Sequence, residues 1–274
     1  MWFNSRRSPV YGTRGAVASS QPLASEAGMR VLQRGGNAAD AAVAVAAALN
    51  VTEPCSTGMG GDCFALYYDA SKSRVLGMNG SGRAPAGLTP ERLAADGFTK
   101  MPLNGVHTVT VPGAVAGWVD TIEHFGTLTM KDVLAPAIEL AEGGFPVSPL
   151  TARAWANGVP LLKSGPYGDE ILINGRAPGA GELMRNLTLA RSMREVVEHG
   201  KAGFYEGRVA EAIVELLHLK GGTMTLEDLK GHTSTFDEPI TVNYRGVDVW
   251  EIPPNGQGIT TLIALNVLEG FNLT

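Results

Sequence analysis

The sequence predicts an α+β fold. Segments with apolar residues at helical spacing alternate with short β-rich runs, and glycines and prolines separate these segments from one another. The chain has 274 residues, of which 44% are hydrophobic, and this content is enough to bury a sizeable core. We find no internal repeat and no obvious linker, so we expect residues 1–274 to form a single unit without an internal boundary.

Caps and helix breakers define the predicted elements of the first half. Asn37 can cap a helix that carries Asp40 in its first turn. This helix consists mostly of Ala and Val, so we expect it to be buried on all sides. In chain order, these elements are a short strand at 15–20, helices from Pro22 to Gly35 and from Ala38 to about Asn50, antiparallel strands at 63–68 and 74–78, and a short helix near 90–95.

The second half is predicted to be mainly helical. Thr129 and Asp132 have the spacing of a capping box, and Thr225 and Asp228 repeat it. Ser148-Pro149 combines a cap with proline at the first helical position. In chain order, these elements are helices around Val115 to Ile122, from Thr129 through Leu140, after Ser148, at 189–199, at 208–219 and after Thr225, a hairpin at 240–249, and a last helix after Gly256.

Charge and hydropathy exclude two classes of partner. The chain carries 22 basic and 27 acidic residues and no block of like charges, so the basic stripe of a nucleic-acid binder is missing. The longest uniformly apolar run, Ala41 to Leu49, is half of what a membrane-spanning helix needs. Residues 1–20 contain no apolar segment of signal-peptide length, so we expect a cytoplasmic protein that binds neither nucleic acid nor membrane.

Most candidate sites for catalysis or metal binding have a simpler interpretation. Gly58 to Asp62 (GMGGD) lacks the spacing of a phosphate loop and precedes a strand, which favours a tight turn where backbones approach closely. The five histidines and the two cysteines do not have the spacing of a zinc site, so we expect no metal and no cofactor. Cys55 and Cys63 are predicted to be reduced, buried thiols without a catalytic role.

Arg83 is the one candidate for ligand binding. It lies in NGSGRAP, directly after a predicted strand, and an arginine on such a loop can bind a carboxylate through both arms of its guanidinium. From the residues alone, a surface arginine held by turn structure is the favoured alternative. The residues by themselves therefore yield a folded α+β protein and no complete catalytic set.

Six segments resemble the γ-glutamyltranspeptidase family, and they occur in the family's order over nearly the whole chain. The first begins QPLASEAG and runs through GMGGD to Leu66. In order, the segments are Gln21 to Leu66, VTVPGAVAGW at 109–118, LAPAIELAEGGFPVS at 134–148, GFYEGRVAEAI at 203–213, GGTMTLEDL at 221–229 and IPPNGQGI at 252–259.

The resemblance implies an N-terminal-nucleophile hydrolase with an αββα sandwich, in which helices cover two packed sheets. Family members are zymogens that cleave themselves, and the new N-terminal threonine of the small subunit is the nucleophile, with its own amine as base. The segments found here belong to the large subunit. We therefore expect this chain to be the N-terminal part of the large subunit, incomplete without the small subunit as partner, with the nucleophile beyond this chain. Thr260-Thr261 is interpreted as the start of a helix.

The resemblance makes Ser81 and Arg83 candidate substrate-binding residues. In typical members an arginine before Met-Ala-Pro binds the γ-glutamyl carboxylate, and alignment on Ala84-Pro85 places Ser81 at that position and Arg83 two residues later. Either Arg83 takes over the role, or the pocket prefers another acyl group. A related branch resembles glutaryl-type β-lactam acylases.

Three functions are therefore open from the sequence. The first is the large-subunit part of a γ-glutamyl transferase or hydrolase that cleaves γ-glutamyl amides such as glutathione. The second is a glutaryl-type amide acylase of the same family, and the third is a truncated, non-catalytic scaffold or inert fragment. We also expect the isolated chain to be poorly soluble, because the subunits of this fold share sheets.

Overall fold

The computed structural model describes residues 8–272. Part of the N-terminal segment considered above as a targeting signal, residues 1–7, lies outside the described residues, as do residues 273–274. The described chain is mixed α+β, which confirms the predicted class. The helices are α1 (Pro22–Gln33), α2 (Ala38–Thr52), α3 (Pro90–Ala95), α4 (Ala114–Phe125), α5 (Met130–Gly143), α6 (Pro149–Lys163), α7 (Leu187–His199), α8 (Ala202–Tyr205), α9 (Gly207–Leu219), α10 (Leu226–Lys230) and α11 (Gly258–Glu269).

The named strands of the described residues form three separate antiparallel pairs. The longest joins β1 (Cys63–Asp69) to β2 (Arg74–Gly80), with Cys63 opposite Gly80. The other two pairs are β3 (Phe145–Pro146) with β4 (Leu183–Met184), and β5 (Ile240–Tyr244) with β6 (Val247–Glu251). An isolated bridge between Asn79 and Thr235 connects the end of β2 to the segment before β5.

The strand expected at residues 15–20 is wrong for the described chain. Residues 15–19 have no regular secondary structure, and no described strand runs beside them. A strand requires a hydrogen-bonded neighbour, and the local β propensity of GAVASS cannot supply one. These residues instead form one wall of a groove of about 510 Å³ against α1 and α2.

The capping signals are confirmed with their geometry. Asn37 caps α2 and forms a full capping box with Asp40, and Thr225 and Asp228 form another at α10. Asp40 is fully buried, and both of its oxygens also accept hydrogen bonds from the turn before α5, through the backbone N–H groups of Thr127 and Leu128. The cap of α2 thereby links the turn before α2 to the turn between α4 and α5.

Helix α2 lies at the centre of the helical layer, largely as its composition predicts. Eleven of its 15 residues are buried. Ala38 and Ala42 are exposed, so burial does not extend to all sides, and these two residues line the groove beside residues 14–18. One continuous core links α2 to α4, α5 and α7 and includes Trp118 and Leu134. This core holds the N-terminus of α4 against the β1–β2 hairpin.

Some element boundaries differ from the expected ones. Helix α7 begins at Leu187 rather than 189, because the Asn186 side chain accepts a hydrogen bond from the Leu189 N–H. Helix α5 continues past Leu140 to Gly143, and Gly144 follows it with a φ of +91°. Among the described helices, none combines the length and apolar character that crossing a bilayer requires.

Candidate functional site

A small polar cleft lies at the end of β2, where the sequence places its candidate residues. It has a volume of about 200 Å³, and hydroxyl and amide side chains form most of its wall. We call it the Ser81–Asn255 cleft. Its lining residues are Asn79, Ser81, Gly82, Arg83, Thr233, Thr235 and Asn255.

The Ser81 hydroxyl is already engaged by the protein. It accepts a hydrogen bond from Asn255 Nδ2 at 2.5 Å and makes a long contact of 3.5 Å with Asp62 Oδ2. The same Asn255 side chain accepts from Asn79 Nδ2 at 3.0 Å through its Oδ1. Asp62 Oδ1 accepts from the Gly82 N–H at 2.9 Å. Ser81 is therefore part of a network that connects β2 with the segment before α11.

Close backbone approach positions the loop that follows β2. The Val111 N–H donates to the Arg83 carbonyl oxygen at 2.9 Å. A side chain at Gly82 would collide with the carbonyl oxygen of Val111, and one at Gly113 would collide with that of Gly80. Only glycine fits at Gly82 and Gly113, because another main chain occupies the space of a Cβ.

The turn from Gly58 to Asp62 connects to the same region. The carbonyl oxygen of Gly61 accepts hydrogen bonds from the N–H groups of Gly113 and Ala114, at the start of α4. This contact agrees with the expected close approach of backbones. Gly60 does not follow this expectation, because an added Cβ there would meet no described atom within 4 Å.

The Arg83 side chain is exposed and lies between two clefts. It lines the Ser81–Asn255 cleft and also a neighbouring cleft of about 240 Å³. Its guanidinium forms neither an ion pair nor a hydrogen bond with the described part of the chain. The structure therefore places both sequence candidates at one site, with Ser81 held by partners and Arg83 free to bind a ligand.

The second cleft has a charged wall, and we call it the Arg83–His232 cleft. Asp228 contributes to that wall, but both of its oxygens are occupied by the Ala86 N–H at 2.9 Å and by Thr225 at 2.9 and 3.0 Å. The lining residues are Arg83, Ala84, Ala86, Val111, Glu227, Asp228, Gly231 and His232.

His232 is a buried residue with an unusual environment. Its ring stacks on Tyr205 with centroids 5.6 Å apart, and neither ring nitrogen has a hydrogen-bond partner among the described residues. Burial lowers the pKa of His232, as do the positive charges of Arg83 and Lys201, while Asp120 opposes them. The ring is therefore neutral at pH 7.

Tyr205 supports the segment opposite Arg83. Its hydroxyl donates to the Pro112 carbonyl oxygen at 2.7 Å and accepts from the Ala116 N–H at 3.0 Å. Burial raises the pKa of Tyr205, so the phenol stays protonated. Beside it, Lys201 forms an ion pair of 2.5 Å with the buried Asp120.

The cysteines correct one sequence expectation. Cys55 is exposed, not buried, while Cys63 is half-buried at the start of β1. Burial, with a smaller contribution from Asp62, raises the pKa of Cys63 to about 11. Neither forms a disulfide in the described chain, and Cys63 is a thiol rather than a nucleophilic thiolate at neutral pH.

Two other expectations concern threonine and metal. Thr260 and Thr261 lie in the first turn of α11, as the interpretation of a helix start predicts. Within residues 8–272, no group of three or more histidine, cysteine or acidic side chains is arranged to hold a metal ion.

The sequence profile described as "Gamma-glutamyltranspeptidase" matches residues 24–274. The chain belongs to the γ-glutamyltranspeptidase family. One curated relative is the "Glutathione hydrolase-like YwrD proenzyme" of Bacillus subtilis, which is 42% identical over 97% of this chain and 50% of the relative. The family resemblance seen in the six sequence segments is thus confirmed.

Two solved structures of γ-glutamyltranspeptidase relatives have the same fold. A cephalosporin acylase from Bacillus halodurans superposes with a TM-score of 0.93 at 43% identity, over 99% of this chain and 52% of that one. The γ-glutamyltranspeptidase of Helicobacter pylori superposes with a TM-score of 0.91 at 32% identity, over 97% of this chain and 78% of that one. The chain spans about half the length of the curated relatives it matches.

Sequence reasoning missed three residues of the site in this family member. Asn255 belongs to the segment IPPNGQGI that carries the family resemblance, and its position there was an available signal. Asp62 is the last residue of GMGGD, which was considered only as a turn. For His232 no signal exists in the sequence, because only the fold packs it against Tyr205 and places it on the wall of the cleft that Arg83 lines.

Proposed function

We propose that this chain is the large-subunit part of a γ-glutamyl transferase or hydrolase that cleaves γ-glutamyl amides such as glutathione. In this proposal a threonine C-terminal to the present sequence becomes the N-terminal nucleophile after self-cleavage. It forms an acyl-enzyme, which passes to water or to an amine. The observation that carries the proposal is the unpaired guanidinium of Arg83 at the end of β2, between two polar clefts.

The chemistry of the substrate explains why an unpaired arginine matters here. A γ-glutamyl amide carries a free carboxylate at the far end of its acyl chain, and a planar guanidinium binds a carboxylate through two parallel hydrogen bonds. Arg83 is exposed and has no competing acidic partner among the described residues. We assign the carboxylate to Arg83, although the family pattern aligns Ser81 with the binding position.

In this proposal Ser81 shapes the substrate site rather than carrying the charge interaction. Its hydroxyl oxygen accepts from Asn255 and approaches Asp62, so little hydrogen-bonding capacity remains for a ligand. A serine in this position also leaves room that an arginine side chain would fill. Ser81 therefore remains a substrate-binding residue as part of the cleft wall.

Exposed apolar surface supports the proposed partner, the small subunit from the same proenzyme. On β1, the alternate residues Phe64, Leu66 and Tyr68 are all exposed on one face. Helix α11 is mostly apolar, yet Leu262 is its only buried residue in the described chain. Covering these surfaces requires further polypeptide, and the curated relatives are about twice as long.

The αββα sandwich belongs to the same proposal. The β1–β2 and β5–β6 hairpins are each too small to form a sheet with a buried face on both sides. We infer that strands of the small subunit extend them into the two packed sheets. Residues 1–274 then form a single unit, the N-terminal part of the large subunit, without an internal boundary.

Turnover of γ-glutamyl-p-nitroanilide by the full-length protein tests the proposed function. We expect self-cleavage and turnover, and we expect Arg83→Ala to lower kcat/KM about 10- to 100-fold by removing a charge-assisted bidentate contact. Arg153→Ala, an exposed arginine on α6, is the matched control and should leave kcat/KM unchanged. Absence of turnover in the processed protein would contradict the proposal and leave the glutaryl-type acylase and the non-catalytic scaffold.

A glutaryl-type amide acylase is the second candidate, favoured by the 43% identity to a protein named as a cephalosporin acylase. Glutaryl and γ-glutamyl groups both end in a carboxylate and differ only in the α-amino group beside it. Arg83 can therefore bind either one. Comparison of kcat/KM for glutaryl- and γ-glutamyl-p-nitroanilide decides between them, because such a preference is differential binding of two transition states.

A further inference from the structure

His232 is set apart from the other histidines of the described chain by its lack of polar contacts. His107 lies 3.2 Å from an Asp96 oxygen, and ring nitrogens of His124 and His218 lie 2.9 Å and 2.7 Å from backbone carbonyl oxygens. His199 is exposed beside Glu198. His232 is only 7% exposed, and neither of its nitrogens has a partner in residues 8–272. A buried polar group without a partner destabilises a fold, so this ring invites a functional explanation.

The surroundings of His232 place it in the same cleft as the proposed carboxylate site. Its ring forms part of the wall of the same 240 Å³ cleft that Arg83 lines. The aromatic ring of Tyr205 stacks on the imidazole of His232. A ligand bound at Arg83 in this cleft therefore changes the electrostatic environment of the imidazole.

Most charged groups around His232 are already paired, and within the described chain Arg83 and Glu227 are the exceptions. Lys201 is paired with Asp120 at 2.5 Å, and Asp62 accepts the Gly82 N–H. On the adjacent helix α10, Asp228 accepts hydrogen bonds from Thr225 and Ala86. Lys230 on the same helix is paired with Glu206. Glu227 lies on the cleft wall with an exposed side chain.

We propose that a carboxylate bound by Arg83 in the Arg83–His232 cleft causes His232 to take up a proton, which makes His232 a positioning residue for that carboxylate. The identity of the ligand rests on the proposed function, whereas the proton coupling does not require turnover. The proton comes from solvent and adds to the free ring nitrogen of the neutral imidazole. No covalent bond of the ligand changes.

The direction of the coupling follows from the charges. In the free protein, burial and the positive charges of Arg83 and Lys201 lower the pKa of His232. A bound carboxylate brings one negative charge, which offsets the positive charge of Arg83 and so raises that pKa. The bound state then holds more protons than the free state, and linkage requires the affinity to rise as the pH falls. The effect is expected as the pH falls towards and below the ordinary histidine pKa of about 6.5, because the pKa of the free ring is lowered from that value.

Calorimetry of ligand binding tests this coupling in the processed full-length protein. L-glutamate and glutarate serve as probes, and each is titrated at pH 6.5 in two buffers with different ionisation enthalpies. The difference in observed enthalpy measures the protons taken up. Glutamate carries an α-amino group and glutarate does not. Proton uptake with both probes would therefore show that the coupling depends on the carboxylate alone.

Two variants and a control separate the coupling from a structural role. His232→Phe keeps a ring against Tyr205 and removes both nitrogens, and His232→Gln is the second variant if the first folds poorly. His199→Asn removes an exposed histidine as the control. We expect proton uptake in the wild type and the control with both probes, and its loss in His232→Phe and His232→Gln. Absence of uptake in the wild type, or undiminished uptake in a folded His232 variant, would overturn the proposal.

The outcome of the proton-uptake experiment can be distinguished from the outcome of the turnover assay that tests the proposed function. Binding with proton uptake but without γ-glutamyl or glutaryl turnover would contradict the enzyme and support the coupled carboxylate site. Turnover without proton uptake would support the enzyme and contradict the role of His232.

Discussion

The side-chain amide of Asn255 donates a hydrogen bond to the hydroxyl oxygen of Ser81 at 2.5 Å, across 174 residues of sequence. Asn255 also accepts from Asn79 through its carbonyl oxygen. One side chain therefore connects the end of β2 with the segment that leads into α11. This relationship brings the end of β2 together with the family segment IPPNGQGI, which lies far away in the chain.

Replacing Asn255 with alanine should weaken substrate binding more than folding. The change removes the partner of Ser81 and loosens the wall of the Ser81–Asn255 cleft, while the site stays open to water that can replace the lost hydrogen bonds. We expect KM of the full-length protein to rise about two- to tenfold. Asn157→Ala on the exposed face of α6 is the control. An unchanged KM in Asn255→Ala would show that this network does not shape the site.

Replacing Asp40 with alanine should destabilise the protein strongly. Its buried carboxylate accepts from Asn37, Thr127 and Leu128, and the change removes all of these hydrogen bonds at once. We expect a loss of about 3 kcal/mol or more in the free energy of unfolding, measured by urea denaturation. Asp132→Ala is the control, because Asp132 is only partly buried and its carboxylate accepts from the Thr129 hydroxyl, so its loss should matter far less. Equal losses in both variants would contradict the role of the buried cap.

The two cysteines should differ in their reaction with a thiol reagent. Cys55 is exposed and should react rapidly in the native protein at pH 8, whereas the raised pKa and burial of Cys63 should protect it. Peptide mapping after alkylation with iodoacetamide identifies the modified residue, and Cys55→Ser removes the fast reaction. Rapid labelling of Cys63 in the folded protein would contradict this environment.

Cys63 should also contribute a pH dependence to stability. The unfolded thiol ionises near its ordinary pKa of 9.0, but the folded thiol does so only near pH 11. The contribution of Cys63 is therefore complete below pH 9 and is lost as the pH rises towards 11. Urea denaturation of the wild type and Cys63→Ala from pH 8 to 11 should show a shallower decline in the variant.

The isolated 274-residue chain should aggregate or bind a hydrophobic dye. Phe64, Leu66 and Tyr68 form an exposed apolar face on β1, and Ile263 and Val267 are exposed on α11. We expect strong fluorescence of bound anilinonaphthalene sulfonate in the isolated chain and weak fluorescence in the full-length protein. A monodisperse chain that melts sharply and leaves the dye dark would contradict this expectation.

Local signals predicted most of the helices of the described chain. The caps at Asn37, Ser148 and Thr225 depend on interactions within one turn, so the spacing of a few residues was sufficient. The β1–β2 hairpin was predictable for the same reason. The strand at 15–20 failed because pairing requires a neighbour that may come from anywhere in the polypeptide.

The sequence by itself determined the helical segments, the family and the two candidates Ser81 and Arg83, because caps, hydrophobic periodicity and ordered motifs are written in neighbouring residues. Only the tertiary structure showed that Ser81 is held by Asn255 while Arg83 has no partner among residues 8–272, and that His232 lines the same cleft as Arg83. These facts depend on contacts between distant segments and on burial. Both arise from packing of the whole chain, so patterns among neighbouring residues do not predict them.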